Sequence, residues 1–286
     1  MRNWPEYNQK LVKRGEYYIN PKFLESWNEE IRQMNAGKIG NPYLYPKSMV
    51  EFLAILHCKS NDYRTCEGIL IAISENYKFQ FPVISYTQIC RRVNTLEVNF
   101  EINEKNLIVA ADGSGEKSTK RGGWMREKWK VKRGWIKVVI LGTPDGKIVD
   151  IRVGTETLDE RASVRGLIRK NHKKINKIIL DGLHDCRKTF DLCEKYKIET
   201  AIKIRKNAQT KAKGSPRRRQ EVLLYQSMAH KEWVKAKGYG LRWPASEGIF
   251  SRQKTIFGEY VAAKKKKNMY HEVKMKFWAI NKLNEV

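Results

Sequence analysis

The apolar positions change rhythm once along the chain. After Glu104 they gather into short runs of strand length: Leu107 to Ala111, Trp135 to Leu141, Ile148 to Val153, Lys177 to Leu180 and Thr200 to Ile204. Before Glu104 the segments carry helix-like spacing, and no internal repeat is evident. This predicts a helical region over 1–104 and a sheet-forming domain over 105–286. The first three runs follow closely, with Thr143-Pro144-Asp145-Gly146 as a turn between the second and third, whereas the fourth comes after a helical stretch from Thr157 to Lys170. Hairpins followed by αβ units predict an α/β fold with a mixed five-stranded sheet flanked by helices.

In the first region Ser48-Met49-Val50-Glu51 and Ser85-Tyr86-Thr87-Gln88 both fit capping boxes, and Thr65 to Tyr77 reads as a helix between them. Three short helices fit a helix-turn-helix whose last helix brings Gln88, Arg91 and Arg92 to a major groove. They fit equally a small bundle whose arginines are merely solvated.

Composition narrows the partner. Lysine and arginine total 57 against 31 acidic residues, a formal net charge of +26, so the surface attracts polyanions and nucleic acid leads. Charge does not separate an enzyme from a passive binder. The 286 residues, 41% hydrophobic, suffice for one or two domains with a real core. The five cysteines are odd in number and form no C-x-x-C pair, which argues against a disulfide framework or a zinc knuckle. A polar N-terminus and the lack of any long apolar stretch predict a cytoplasmic protein with no membrane partner.

From Lys206 to Lys237 strand rhythm is lost, and Arg217-Arg218-Arg219 follow Gly214, Ser215 and Pro216, which reads as a basic insertion that covers DNA or stays mobile. Trp124, Trp129 and Trp135 alternate with Lys120, Arg121, Arg126, Lys128, Lys130, Lys132 and Arg133, a pattern that suits base stacking with phosphate neutralisation, or core tryptophans. Gly113-Ser114-Gly115-Glu116-Lys117-Ser118 is not a phosphate loop, because Glu116 interrupts the required Gly-Lys-Ser. The five histidines show no metal-binding spacing.

Two apolar runs end alike, in Asp112-Gly113 and Asp181-Gly182. Either pair alone suits a strand-ending turn. On parallel neighbours, however, the two carboxylates would meet, repel, and be reconciled by a divalent cation with oxygen ligands such as Mg²⁺. Glu247 opens a segment with Ile249, Phe250, Ile256 and Phe257 at helical spacing. Lys254 falls about two turns on, so carboxylate and ammonium share a face.

Tyr239 and Arg242 precede Glu247 and Lys254, and here the chain resembles the DDE transposases of prokaryotic insertion sequences, in the subgroup with a Tyr-Arg-Glu-Lys signature. Two residues separate Tyr239 from Arg242 and six separate Glu247 from Lys254, as in that signature. Between Arg242 and Glu247 four residues stand in place of the usual three. The likeness extends through Asp112-Gly113, Gly134-Trp135-Ile136-Lys137, Thr155 with Asp159, Asp181-Gly182 with Asp185, Ile204-Arg205-Lys206-Asn207-Ala208, and Phe250-Ser251 with Phe257-Gly258-Glu259. His184 stands where the family usually has an aromatic residue.

The resemblance implies a ribonuclease H-like sheet preceded by a helical DNA-binding region. Asp112, Asp181 and Glu247 would hold two ions of Mg²⁺ or Mn²⁺, which activate the attacking oxygen and stabilise the leaving one. Arg242 and Lys254 would contact phosphates, with Tyr239 beside the terminal nucleotide. Terminal inverted repeats and target DNA would be the partners, with a dimer on DNA in the nucleoid. Strand cleavage followed by strand transfer is the implied reaction. A catalytically inactive DNA-binding remnant, or a metal-dependent nuclease of the same fold, are the alternatives.

Overall fold

The computed structural model describes residues 4–77, 80–100, 102–118, 122–130 and 134–285. Two compact units emerge: Phe100–Thr255 with Glu259–Lys264, and Met1–Asn99 with Ile256–Gly258 and Lys265–Val286. The C-terminal segment therefore groups with the helical N-terminal region, although its sequence position had assigned it to residues 105–286.

The helical unit begins with α1 (Trp4–Ile19), α2 (Phe23–Asn35), α3 (Lys47–Cys58), α4 (Tyr63–Asn76) and α5 (Tyr86–Thr95). Helix α3 is apolar nearly all round, with Met49, Val50 and Phe52 to Leu56 all buried, as a helix enclosed by others must be. Phe23 of α2 packs against both Phe52 and Phe81. The caps differ from expectation. Pro46 opens α3, so Ser48 lies inside the helix and bonds the Glu30 carboxylate. Ser85 does flank α5, but its hydroxyl meets Thr87 and caps no amide. Asp62 caps α4, accepting from the Arg64 and Thr65 amides.

The second unit holds β1 (Leu107–Ser118), α6 (Gly122–Trp129), β2 (Trp135–Gly142), β3 (Ile148–Thr155), α7 (Glu160–Asn171), β4 (Ile175–Leu180), α8 (Arg187–Lys195) and β5 (Glu199–Ile202). It continues through α9 (Pro216–Gln226), α10 (His230–Lys237), α11 (Arg242–Ala245), α12 (Glu247–Phe257) and β6 (Tyr260–Val261). The last helix, α13 (Lys266–Asn284), belongs to the helical unit, where Lys282 pairs with Glu51 at 3.6 Å.

The sheet runs β3-β2-β1-β4-β5. Strand β2 is antiparallel to β1 and β3, while β4 is parallel to both β1 and β5. This is the mixed, helix-flanked sheet expected, with one addition: β6 pairs in parallel with the far end of β1. One face carries the main core, where Val164, Leu167 and Ile168 of α7 and Phe190 of α8 meet Val109, Ile178 and Leu180. The other face is lined by small residues, Ala110 and Ala201 beside Ile179, against which Ala245 of α11 sits. Gly142 on β2 completes this close approach, because a side chain there would press on the Ala245 carbonyl and Ile249.

The segment read as a basic insertion that covers DNA or stays mobile is helical over Pro216–Gln226 and His230–Lys237. In α9 Val222 and Glu221 are buried, and Glu221 binds Lys237 of α10 at 2.8 Å. None of the three tryptophans lies in the core: Trp124 and Trp135 are exposed, and Trp129 is half-buried. Lys128 stands 5.6 Å from the Trp124 ring, a cation over an aromatic face; Lys120, Arg121, Lys132 and Arg133 lie outside the described residues. No helix among the described residues is long and apolar enough to cross a membrane.

Candidate active site

Strand β1 does not stop at Asp112. It runs on to Ser118, so Asp112 is a mid-strand residue opposite Ile140 of β2. The reading of Asp112-Gly113 as a strand end is corrected here. The parallel ladder between β1 and β4 does end near it, at the pair Ala110 and Ile179. Two residues beyond that pair on each strand stand Asp112 and Asp181. Asp181 follows the last residue of β4 and caps a short 3-10 turn, accepting from the Leu183 amide at 3.0 Å.

Burial holds the Asp112 carboxyl above its ordinary value, and the Glu160 and Asp181 carboxylates push it further. The Gly113 amide and Arg242 act in the opposite sense. Several negative groups thus converge on a space only partly open to water.

Arg242 answers part of that charge. Its Nη1 lies 3.3 Å from Asp112 Oδ2 and its Nη2 pairs with Glu247. The extra residue between Arg242 and Glu247 is taken up where α11 meets α12, and Ser246 there is buried with its hydroxyl on the Arg242 carbonyl at 2.9 Å. Glu247 opens α12, whose Ile249, Phe250 and Phe257 are buried as the spacing predicted, with Gln253 among them. Burial lowers the Arg242 pKa, but Tyr239, Asp112, Glu247 and Asp181 outweigh it and the net shift is upward. Tyr239 is half-buried; burial raises its pKa, and its electrostatic neighbours include Arg242, Asp181 and Asp112. Its ring lies 5.1 Å from that of Trp233.

Lys254 does not face this group of side chains through any ion pair with it; its partner is Glu259 at 3.8 Å, which also holds Lys117 at 2.6 Å. Arg91 and Arg92 lie on α5 in the helical unit, Arg91 exposed and Arg92 over the Tyr45 ring. Two further groups stand beside the acidic pair. Glu160 opens α7 with Lys137 at 3.1 Å, and buried His184 stands 3.9 Å from both Glu160 and Asp181. Among the described residues no three His, Cys, Asp or Glu side chains stand close enough to hold a metal ion as a group.

Comparison with known proteins follows this geometry. A cryo-EM structure described as a piggyBac transposase synaptic complex with hairpin DNA aligns at 9% identity and a TM-score of 0.45, covering 92% of this chain and 73% of that one. A family model described as Transposase DDE domain matches residues 12–121, and a second model of the same description matches residues 103–281. That second match spans more than half the chain and includes every member of the acidic and basic group around Asp112. The chain belongs to the DDE-domain transposase family.

Proposed function

We propose that this transposase is an insertion-sequence enzyme of prokaryotes, in the Tyr-Arg-Glu-Lys subgroup, which binds terminal inverted repeats and cuts and joins DNA. The observation that carries the reading is the matched position of Asp112 and Asp181 beyond the β1–β4 ladder, with Arg242 linking Asp112 to Glu247.

The donor set suits a hard divalent cation. It is all oxygen and partly buried, and burial, helped by Glu160 and Asp181, keeps the Asp112 carboxyl above its usual range. Asp112, Asp181 and Glu247 would hold Mg²⁺ or Mn²⁺, two ions in the assignment favoured here. Bound there, the cations acidify the attacking hydroxyl and neutralise charge on the leaving oxygen. Arg242 and Lys254 bind strand phosphates and Tyr239 packs beside the terminal nucleotide. Exposed Arg91 and half-buried Arg92, both on α5, contact the inverted repeat, and the active form is a dimer on DNA.

The test uses DNA carrying the element's own terminal inverted repeats, with Mg²⁺ or Mn²⁺, comparing the native chain with Asp112→Asn and Glu247→Gln. Cleavage and joining by the native chain alone support the reading. Cleavage without joining makes the chain a nuclease of this fold, and specific binding with no cleavage by any variant makes it an inactive remnant.

A further inference from the structure

His184 is 1% exposed, and neither ring nitrogen has a hydrogen-bond partner among the described residues. A buried donor without an acceptor keeps its full desolvation penalty, and such a group in a folded protein calls for a cause. Its Nε2 faces two carboxylates at equal distance, 3.9 Å from Glu160 Oε1 and 3.9 Å from Asp181 Oδ1. Burial disfavours the charged ring, and two acceptors on one nitrogen keep the single proton of the neutral ring on Nε2.

The two carboxylates are not equally free. Glu160 is pinned: Lys137 Nζ holds its Oε2 at 3.1 Å, Asp159 caps the helix it begins, and its carboxylate lies against Gly113, where an added methyl would come within 2.5 Å of Oε2. Asp181, with 41% of its side chain exposed, sits at the head of a three-residue 3-10 turn. A movement of about one ångström by Asp181 converts 3.9 Å into a hydrogen bond, and contacts at catalytic sites are commonly long before loading and tighten on it.

We propose that His184 is the positioning residue for Asp181. Its Nε2–H closes on the Asp181 carboxylate when the site takes up a divalent cation, and Glu160 fixes the ring's proton and orientation. This rests on the assignment of Asp181 as a cation-binding residue. It explains why the position holds an imidazole where packing alone would be served by an apolar ring, and it gives Glu160, beside Asp112-Gly113, a part in the site.

The experiment measures Mn²⁺ binding to the complete chain, from the free-ion paramagnetic resonance signal, with melting temperature recorded alongside. Removing an outer partner of a metal-binding residue weakens affinity by roughly 10–100-fold. His184→Phe, which keeps the ring volume, is expected to raise the apparent Kd for Mn²⁺ by that factor without lowering the melting temperature. His184→Gln, which keeps an N–H, recovers part of the loss, and Glu160→Gln shows a smaller loss of the same sign. Native affinity in folded His184→Phe overturns the proposal. If that variant does not fold, native affinity in Glu160→Gln overturns it instead. Asp181→Asn separates the two layers. If it binds Mn²⁺ as the native chain does, the assignment of Asp181 itself falls, and this proposal with it. If it binds more weakly while His184→Phe matches the native chain, only the positioning role falls.

Discussion

Arg242 and Asp112 are 130 residues apart in sequence, and their side chains meet at 3.3 Å. The other arm of the same guanidinium holds Glu247, so one planar cation spans two of the three carboxylates assigned to chemistry. A planar fork also sets the separation and orientation of the two carboxylates, which the single point charge of a lysine ammonium does not. Arg242→Ala is expected to lower strand cleavage by about 100-fold, the scale of losing a positioning contact. The arm to Glu247, whose side chain is 45% exposed, contributes only about 0.2–1 kcal/mol of stability. Arg242→Lys should restore less than a tenth of the rate; full recovery would reduce the residue's role to its charge.

Gly142 is required by the approach of α11 and α12 to β2. A methyl there would press on the Ala245 carbonyl, which is backbone and cannot swing aside, and on the tip of Ile249. Glu247 lies between those two contacts in sequence. Gly142→Ala is expected to cost about 1–3 kcal/mol, as overpacking does, and to reduce cleavage by more than its loss of stability explains. Urea unfolding and single-turnover cleavage on the same preparation separate the two. A stable variant with native cleavage would show that Glu247 does not depend on this packing.

Asp185 joins the strand carrying Asp181 to the region first read as a mobile insertion. Its carboxylate is fully enclosed and receives Arg218 through two nitrogens, at 2.7 and 3.1 Å, and the Arg205 amide at 3.1 Å. Removing one member of a buried pair leaves the other uncompensated, at about 3–5 kcal/mol. Asp185→Ala is therefore expected to lower the urea midpoint markedly. Asp185→Ala with Arg218→Met should recover much of it. A double variant no more stable than the single one would assign the loss to packing.

How much of this could be read beforehand follows from what each signal depends on. Asp112 and Asp181 were legible because each closes an apolar run, and parallel pairing of two such runs aligns their ends. The continuation of β1 was not, since Gly113-Ser114-Gly115 has turn chemistry and becomes strand through pairing with β2, β6 joining only further on at Lys117 and Ser118. Helix α12 was legible from Ile249, Phe250 and Phe257 at helical spacing. Ser48 misled because Pro46, favoured just outside or at the first turn of a helix, starts α3 two residues earlier. Helix α2 carries Phe23, Trp27, Ile31 and Met34 at helical spacing, although only Phe23 and Trp27 are buried. Glu160 belongs to no local motif and comes near the site because α7 packs on β1, β2 and β3, whereas His184 lies three residues after Asp181 in the turn that follows β4.

His271 supplies a pH response in the helical unit. Its Nε2 lies 2.9 Å from the Val93 carbonyl, which a neutral ring satisfies by donating its one proton. Burial lowers its pKa below the ordinary 6.5, the bond to Val93 opposes this, and Lys274 and Lys267 lower it further. The sign follows from proton uptake: as pH falls below 6.5 the unfolded chain binds a proton that the folded chain takes only at a lower pH. Stability is complete above 6.5 and declines below it until the folded value is reached. Buried His184, also lowered, contributes in the same direction. The melting temperature is expected to drop between pH 7.5 and about 5.5, a window set by the ordinary imidazole value. His271→Gln, which keeps a donor to Val93 and does not titrate, should shallow that slope without removing it. An identical slope in this variant would assign the response to other groups.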